Sequence, residues 1–463
     1  VTALTPTPAL VSDGPRQLGS LAGRTFRLAL GAGVALLVLS FVIAIATSMD
    51  LGRFMKSYLL AFAYLLTICL GALFFTMVQH ITKAGWSVTI RRTSEAIAAN
   101  LTMIWVLFLP IAFVVLTAPD DKYVLYSWMS EKKVAEDWLY QHKLPYLNEG
   151  FWAVRAVLFL AVWAGLGWFF HSRSVRQDAD GDKRHSHAMQ KWAPLGILLF
   201  ALTLTFAAVD WIMALEAHWF STMWGVYFFA MSATGFFATL PIVLYLMQRA
   251  GKIENDVTKE HFQDIGKLLF GFGVVFHAYI AFSQFMLLWY ANIPETTGWF
   301  IVRTTGPWYW LLWLVPIGHF AIPFVLLISK HAKRAVPFLC VVAGWILVMH
   351  FVDLYLAVMP EMPIKMLADA PSLEAFKAAA VADPAQHLGW KPSLVDVTLV
   401  LAFLAIGYIA FRELGHFVGA RLQKGGFNCA ANNSFAQMLP AFALSMIGVG
   451  LAAPAAMSTS PLV

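Results

Sequence analysis

Ten long apolar runs dominate the chain, near residues 26–48, 57–79, 96–117, 151–171, 192–213, 222–247, 265–290, 308–329, 335–357 and 395–417. Each is longer than the roughly 20 residues a helix needs to cross a bilayer. Lipid offers no partner to an open backbone group, so only helices and closed barrels span it, and these runs are too long for barrel strands. The expected fold is all-α: a polytopic membrane protein of about ten transmembrane helices. Composition agrees, with 60% of the 463 residues hydrophobic and 13% charged, against about 45–50% and 25% in soluble domains. A water-soluble enzyme, a disordered chain and a nucleic-acid binder are thereby excluded.

The expected organisation is a tail over 1–24, a ten-helix domain over 25–420 and a C-terminal tail over 421–463. The stretch 436–454 is apolar but carries Pro440, Gly448, Gly450 and Pro454. It is expected to lie at the interface or on the bundle rather than to span. Val1 to Gly23 is polar and contains proline, so it does not read as a cleavable signal.

The net charge of +6 matters through its placement. Of the 32 basic residues, 21 fall in the two tails and the second, fourth, sixth and eighth loops, ten in the alternate loops, and Arg155 within a span. Basic loops stay cytoplasmic, so both termini are expected in the cytoplasm of a bacterial inner membrane. The two longest loops, 118–150 and 358–394, then lie outside, where they are expected to dock an extracytoplasmic partner. Within the second, Ser372 precedes LEAFKAAAV as an N-cap, with Glu374 in the first turn. Trp211, Trp219, Trp224, Trp289, Tyr290, Trp299, Trp308, Tyr309 and Trp310 gather at the outer span ends, as interfacial aromatics do.

Ionisable groups within spans are costly, about 2.5–3.5 kcal/mol on insertion scales, which makes them functional candidates. In the seventh span Gly266, Gly273, His277 and Gln284 recur at seven, four and seven residues, on one helical face. His319 lies in the eighth between Pro316 and Pro323, which free backbone carbonyls. His350 and Asp353 share a face of the ninth. Asp210 ends the fifth, with Glu216 and His218 just beyond, and Glu413 and His416 mark the inner end of the tenth. Arg155 is expected to snorkel to the interface. Asp210, Glu216, His218, His350 and Asp353 read as one outer polar cluster that His277, His319 and Glu413 extend inward as a proton track, histidine titrating near neutrality. The alternative is interhelical hydrogen bonding that specifies packing.

Cys69, Cys340 and Cys429 are too few for an iron–sulfur cluster or a disulfide framework, and no C-x-x-C-H motif is present. No helix carries two histidines about four turns apart, as a di-haem cytochrome b bundle does; His277 with His319 is the pair to weigh for haem b. His185 and His187 lie in a charged loop without a metal-site spacing. No catalytic residue or metal site is assigned.

Four segments are distinctive: GWSVTIRRTSE (85–95), YLNEGFWAVR (146–155), DWIMALEAHWFSTMWG (210–225) and YIAFSQFMLLWYANIPE (279–295). Through them residues 55–360 resemble the ActF-type membrane subunits of bacterial alternative complex III, a branch of the NrfD-like family of polysulfide-reductase-type membrane anchors. The tenth span fits that family's ten-helix pattern. The resemblance implies a subunit of a quinol:cytochrome c oxidoreductase. Its partners would be a second NrfD-like membrane subunit and periplasmic iron–sulfur and multihaem cytochrome c subunits. The resemblance also implies that this chain binds no redox cofactor, the quinol site usually being attributed to the sister subunit, although quinol binding here stays open. Proton tracks are proposed for both membrane subunits. Two other readings are a secondary transporter and a subunit that itself binds quinone or haem b.

Overall fold

A computed structural model describes residues 20–117, 125–251, 253 and 256–412. Among them there is no strand, and nine helices are long and apolar enough to cross a membrane. We number these α1 (Ser20–Ala46), α2 (Leu51–Ile81), α3 (Val88–Thr117), α4 (Glu149–Asp180), α5 (Arg184–Trp211), α6 (Trp224–Arg249), α7 (Lys259–Ala291), α8 (Trp308–Leu327) and α9 (Val336–Val358). A further apolar helix, α10 (Leu394–Arg412), starts where the tenth span was expected. The end of that span, with Glu413 and His416, lies outside the described residues, as do 436–454 and the first 19 residues.

The bundle is built around α2, whose apolar length is wholly buried. It packs on α3, α5, α6, α9 and α10, while α1 lies outermost, against α10. The closest approach is at Gly71. A Cβ there would stand 2.1 Å from the Ser232 carbonyl oxygen of α6, so only glycine lets these backbones meet. Gly71→Ala must push two backbones apart and is expected to cost about 1–3 kcal/mol or more. An unaltered melting temperature of the purified variant would refute this contact.

Local sequence sets the helix starts. Asp50 accepts from the Arg53 backbone N–H at 2.8 Å and opens α2, and Asn148 accepts from the Phe151 N–H at 2.9 Å and opens α4. Gly181, at φ 69°, ends α4 in the left-handed conformation that glycine adopts without strain. Ser372 caps the helix Leu373–Ala382 by accepting from the Ala375 N–H at 3.1 Å, as its sequence indicated.

Both long loops fold onto the same end of the bundle. From the first, Tyr126 Oη donates to the Trp211 carbonyl at 2.9 Å, Trp128 Nε1 to that of Ala214 at 3.1 Å, and Lys143 Nζ to that of Ala217 at 2.6 Å. From the second, the Met362 N–H donates to Glu216 Oε1 at 3.0 Å, and Lys56 Nζ meets Glu361 at 2.6 Å. Trp308 Nε1 donates to the Leu388 carbonyl at 2.8 Å. The result is a cap over the ends of α5, α6 and α9.

The aromatic belt needs correction. Trp289 and Tyr290 are exposed, as interfacial rings would be, but Trp211, Trp219, Trp224, Trp299 and Trp308 are buried. Trp219 stacks on Trp299 with centroids 4.8 Å apart, and Trp224 Nε1 donates to the Ala208 carbonyl at 3.1 Å. These rings roof the bundle; Trp219, Trp224 and Trp308 each donate their N–H to a backbone carbonyl, which lets such a ring bury its whole area, whereas Trp211 Nε1 has no hydrogen-bond partner among the described residues.

The cap carries a pH dependence. His218 Nε2 donates to Asp137 Oδ2 at 2.7 Å, joining the first loop to the α5–α6 turn. Burial pushes the His218 imidazole below its ordinary value, and Asp137 only partly opposes this. The docked loop therefore takes up its proton at lower pH than the free loop. Docking is strongest above the ordinary value of about 6.5 and weakens on acidification. Hydrogen exchange over 131–143, corrected for intrinsic rates, is expected to quicken between about pH 7 and pH 5. His218→Phe should remove that change, and a pH-independent profile in the native chain would contradict it.

Candidate functional site

Beneath the cap, four helices bring titratable side chains together in an otherwise apolar interior. Asp353 comes from α9, Tyr227 from the first turn of α6, His277 from the middle of α7 and His319 from the middle of α8. Tyr227 Oη donates to Asp353 Oδ1, and His277 Nε2 donates to Asp353 Oδ2 at 2.7 Å. The His277 and His319 rings stack at 4.1 Å between centroids. Asp353 and His277 are each 2% exposed and His319 is 1% exposed.

The backbone that presents these histidines is not regular α-helix. Leu269–Phe276, just before His277, and Val315–Ala321, which contains His319, are π-helical. Such turns add a residue and are frequent at functional sites. In α8 the cause is readable: Pro323 has no N–H to donate to the preceding turn. The Gly318 carbonyl accepts instead from Trp345 Nε1 of α9 at 2.7 Å. Gly318 packs closely on α9: a Cβ there would stand 2.5 Å from Met349 Sδ, so that flexible side chain would have to shift. In α7 the glycine pair 271 and 273 lowers helix propensity, and the Gly273 carbonyl accepts a second bond from Thr234 Oγ1 at 3.3 Å.

His350, one turn before Asp353, turns to α2. Its Nε2 lies 3.0 Å from Thr67 Oγ1, whose own hydrogen is committed to the Tyr64 carbonyl at 2.9 Å. Nε2 is therefore the protonated nitrogen, and Nδ1 has no hydrogen-bond partner among the described residues. Neither ring nitrogen of His319 has a partner at full hydrogen-bond geometry, the nearest polar backbone being that of Gly273. Such incompletely satisfied ring nitrogens are expensive in a low-dielectric interior.

The chemistry of the set follows from distance. At 2.7 Å, Asp353 and His277 are close enough for a proton to pass directly between them. Tyr227 holds the other carboxylate oxygen, and His319 backs the His277 ring. Donor atoms of His277, His319 and Asp353 lie within 4.8 Å of one another, a spacing a metal ion could bridge. Two of the three are already joined by the direct hydrogen bond. The pair weighed from sequence for haem b, His277 with His319, is a face-to-face stack in this structure.

The other sequence candidates do not join this set. Asp210 pairs with Arg155: Nε donates to Oδ2 at 2.6 Å and Nη2 to Oδ1 at 3.2 Å. Arg155 is thus buried rather than snorkelling, and it also lies 3.9 Å over the Tyr146 ring. Glu216 and His218 are tied into the cap, and Gln284 accepts from Ser221 Oγ at 3.4 Å. The expected single outer cluster is therefore several separately paired groups, because each carboxylate in so apolar an interior recruits the nearest donor. Along α7, Gly266, Gly273, His277 and Gln284 are all buried, so that face points inward as its spacing indicated.

Sequence reasoning missed Tyr227, which reads as another aromatic in an apolar run; the signal was a phenol hydroxyl that needs a partner once buried. It also missed Asp396 of α10. That carboxylate accepts from Arg53 Nη1 at 2.9 Å, from Nη2 at 2.7 Å and from Ser57 Oγ at 2.6 Å. The segment 85–95 supplies a second buried group at the opposite end. Glu95 lies 3.5 Å from Arg91 and 3.4 Å from Arg92, and Arg92 also pairs with Asp178 of α4.

Comparison with protein-family models and with curated proteins gives no match for this chain.

Proposed function

We propose that this chain is the cofactor-free membrane subunit of a quinol:cytochrome c oxidoreductase of the alternative complex III type. It scaffolds the complex and relays protons through Asp353 and His277. One observation carries the reading: a carboxylate, a phenol and two stacked imidazoles from four helices meet in the interior of a multi-pass apolar bundle. Packing alone is poorly served by such a set, since hydrophobic residues fill the same volume without desolvating a carboxylate. A quinol-oxidising machine releases protons, and a carboxylate–imidazole pair is what moves them.

Two of the resemblance motifs lie at the capped end above this set. The segment 210–225 makes the roof that holds Trp219 and Trp224, and 146–155 carries the Asn148 cap and Arg155. The proposed topology places both termini and the basic loops in the bacterial cytoplasm. The capped end then faces the periplasm, where iron–sulfur and multihaem cytochrome c subunits would dock on loops 118–150 and 358–394.

Purification of the chain from its native membrane under mild detergent tests the reading. The expected result is co-elution with a second multi-pass subunit and with haem c absorbance in fixed proportion. Elution alone, without redox-active partners, would overturn it. The secondary-transporter reading draws on one feature, the two mid-helix π-segments, since transporters interrupt helices at their binding sites. Solute uptake by the chain alone in liposomes would favour that reading.

A further inference from the structure

At the end of the bundle away from the cap, where α4 turns into α5, one cavity is lined by charge. Arg173, Arg176, Asp180, Arg184 and His185 surround about 380 Å³. Asp180 is already engaged: its carboxylate accepts from His185 Nε2 at 2.9 Å and lies 3.5 Å from Arg184. Arg184 is also held by Asp182 at 3.1 Å. Among the described residues no carboxylate pairs with Arg173 or Arg176. Arg173 instead rests near the Phe169 ring, its guanidinium carbon 5.7 Å from the centroid. His185 is buried, and its Nδ1 has no hydrogen-bond partner among the described residues. The cavity therefore presents unneutralised guanidinium charge.

Its depth points to the ligand. Trp168 of α4 and Trp192 of α5 are 58% and 50% exposed, and both lie on the apolar side of the cavity. Exposed tryptophans at the ends of spans mark the headgroup level of a bilayer. One to two turns further along each helix, where the cavity lies, is where lipid phosphates sit. Guanidinium groups suit a phosphate because their planar N–H forks match its oxygens.

We propose that this cavity binds the phosphate of an anionic phospholipid headgroup, with Arg173 and Arg176 supplying the charge while His185 and Arg184 hold Asp180 aside. The headgroup would pin the α4–α5 junction to its leaflet. The proposal stands independently of any redox role.

The test uses the full chain, purified and stripped of lipid. It is titrated with phosphatidylglycerol, phosphatidylcholine and inorganic phosphate, and binding is read by native mass spectrometry together with the melting temperature. Phosphatidylglycerol is expected to bind about tenfold or more tighter than phosphatidylcholine, and R176Q is expected to weaken it about fivefold, with R173Q/R176Q weakening it about 25-fold. Equal binding of the two lipids overturns the proposal. So does displacement of phosphatidylglycerol by equimolar inorganic phosphate, which would assign the cavity to a free anion. If the double variant fails to fold, R176Q decides alone, since that side chain is exposed, and an unchanged affinity there overturns the proposal.

Discussion

Asp353→Asn is expected to slow coupled proton movement in the reconstituted assembly by about 100-fold or more, the scale of losing a positioned acid–base group. Asparagine fills the same space and still accepts from Tyr227, so insertion and assembly should survive. It cannot accept and release a proton, and its amide N–H₂ would confront the donating Nε2 of His277. The reading assigns quinol oxidation to the sister subunit. Electron transfer should therefore continue while fewer protons move per electron. A proton-to-electron ratio equal to that of the native complex would remove Asp353 from the path. Tyr227→Phe makes a graded companion, because it deletes one hydrogen bond to the Asp353 carboxylate, worth about 1.5–3 kcal/mol, and leaves the His277 pair standing.

The largest expected effect on stability is at Arg155 and Asp210. Their side chains are almost completely buried and joined by two hydrogen bonds. Replacing either partner alone strands a buried charge, at about 3–5 kcal/mol. Arg155→Met is expected to cost slightly more than Asp210→Asn, because it also gives up the 3.0 Å bond to the Tyr146 carbonyl and the stacking on Tyr146. The double variant Arg155→Met/Asp210→Leu should recover most of the loss, since an apolar pair of similar volume often matches a buried ion pair. Denaturation of the purified variants reads this directly. Single variants within about 0.5 kcal/mol of the native chain would mean the pair is solvated, as exposed pairs are.

The sequence announces the spans because lipid is an unforgiving solvent: a run of apolar residues long enough to cross must be helical, whatever its neighbours do. The inward face of α7 was legible for the same reason, from the recurrence of Gly266, Gly273, His277 and Gln284. Partners were not legible. Arg155 reads as a snorkelling cation because its long side chain permits that, and only the fold brings it to Asp210, 55 positions away. His350 and Asp353 share a face, yet one bonds α2 and the other α6 and α7. Spacing gives direction along one helix and says nothing of which helix lies opposite. The buried tryptophans near the cap were misplaced for a related reason. Exposed and roofing rings have the same composition and the same distance from a span end, and the loops that cover them are remote in sequence. The π-turns were half visible, through Pro323 and the glycines of α7, but how each chain segment satisfies its freed carbonyl depends on Trp345 and Thr234, from other helices.

The central claim is that Asp353 and His277 change protonation during turnover. Infrared difference spectroscopy on the purified assembly, triggered by reduction with quinol, measures that change at the carboxyl and imidazole bands. The account predicts a carboxyl band that shifts in D₂O and disappears in Asp353→Asn while haem reduction continues. A difference spectrum in which Asp353→Asn and the native assembly coincide would contradict it.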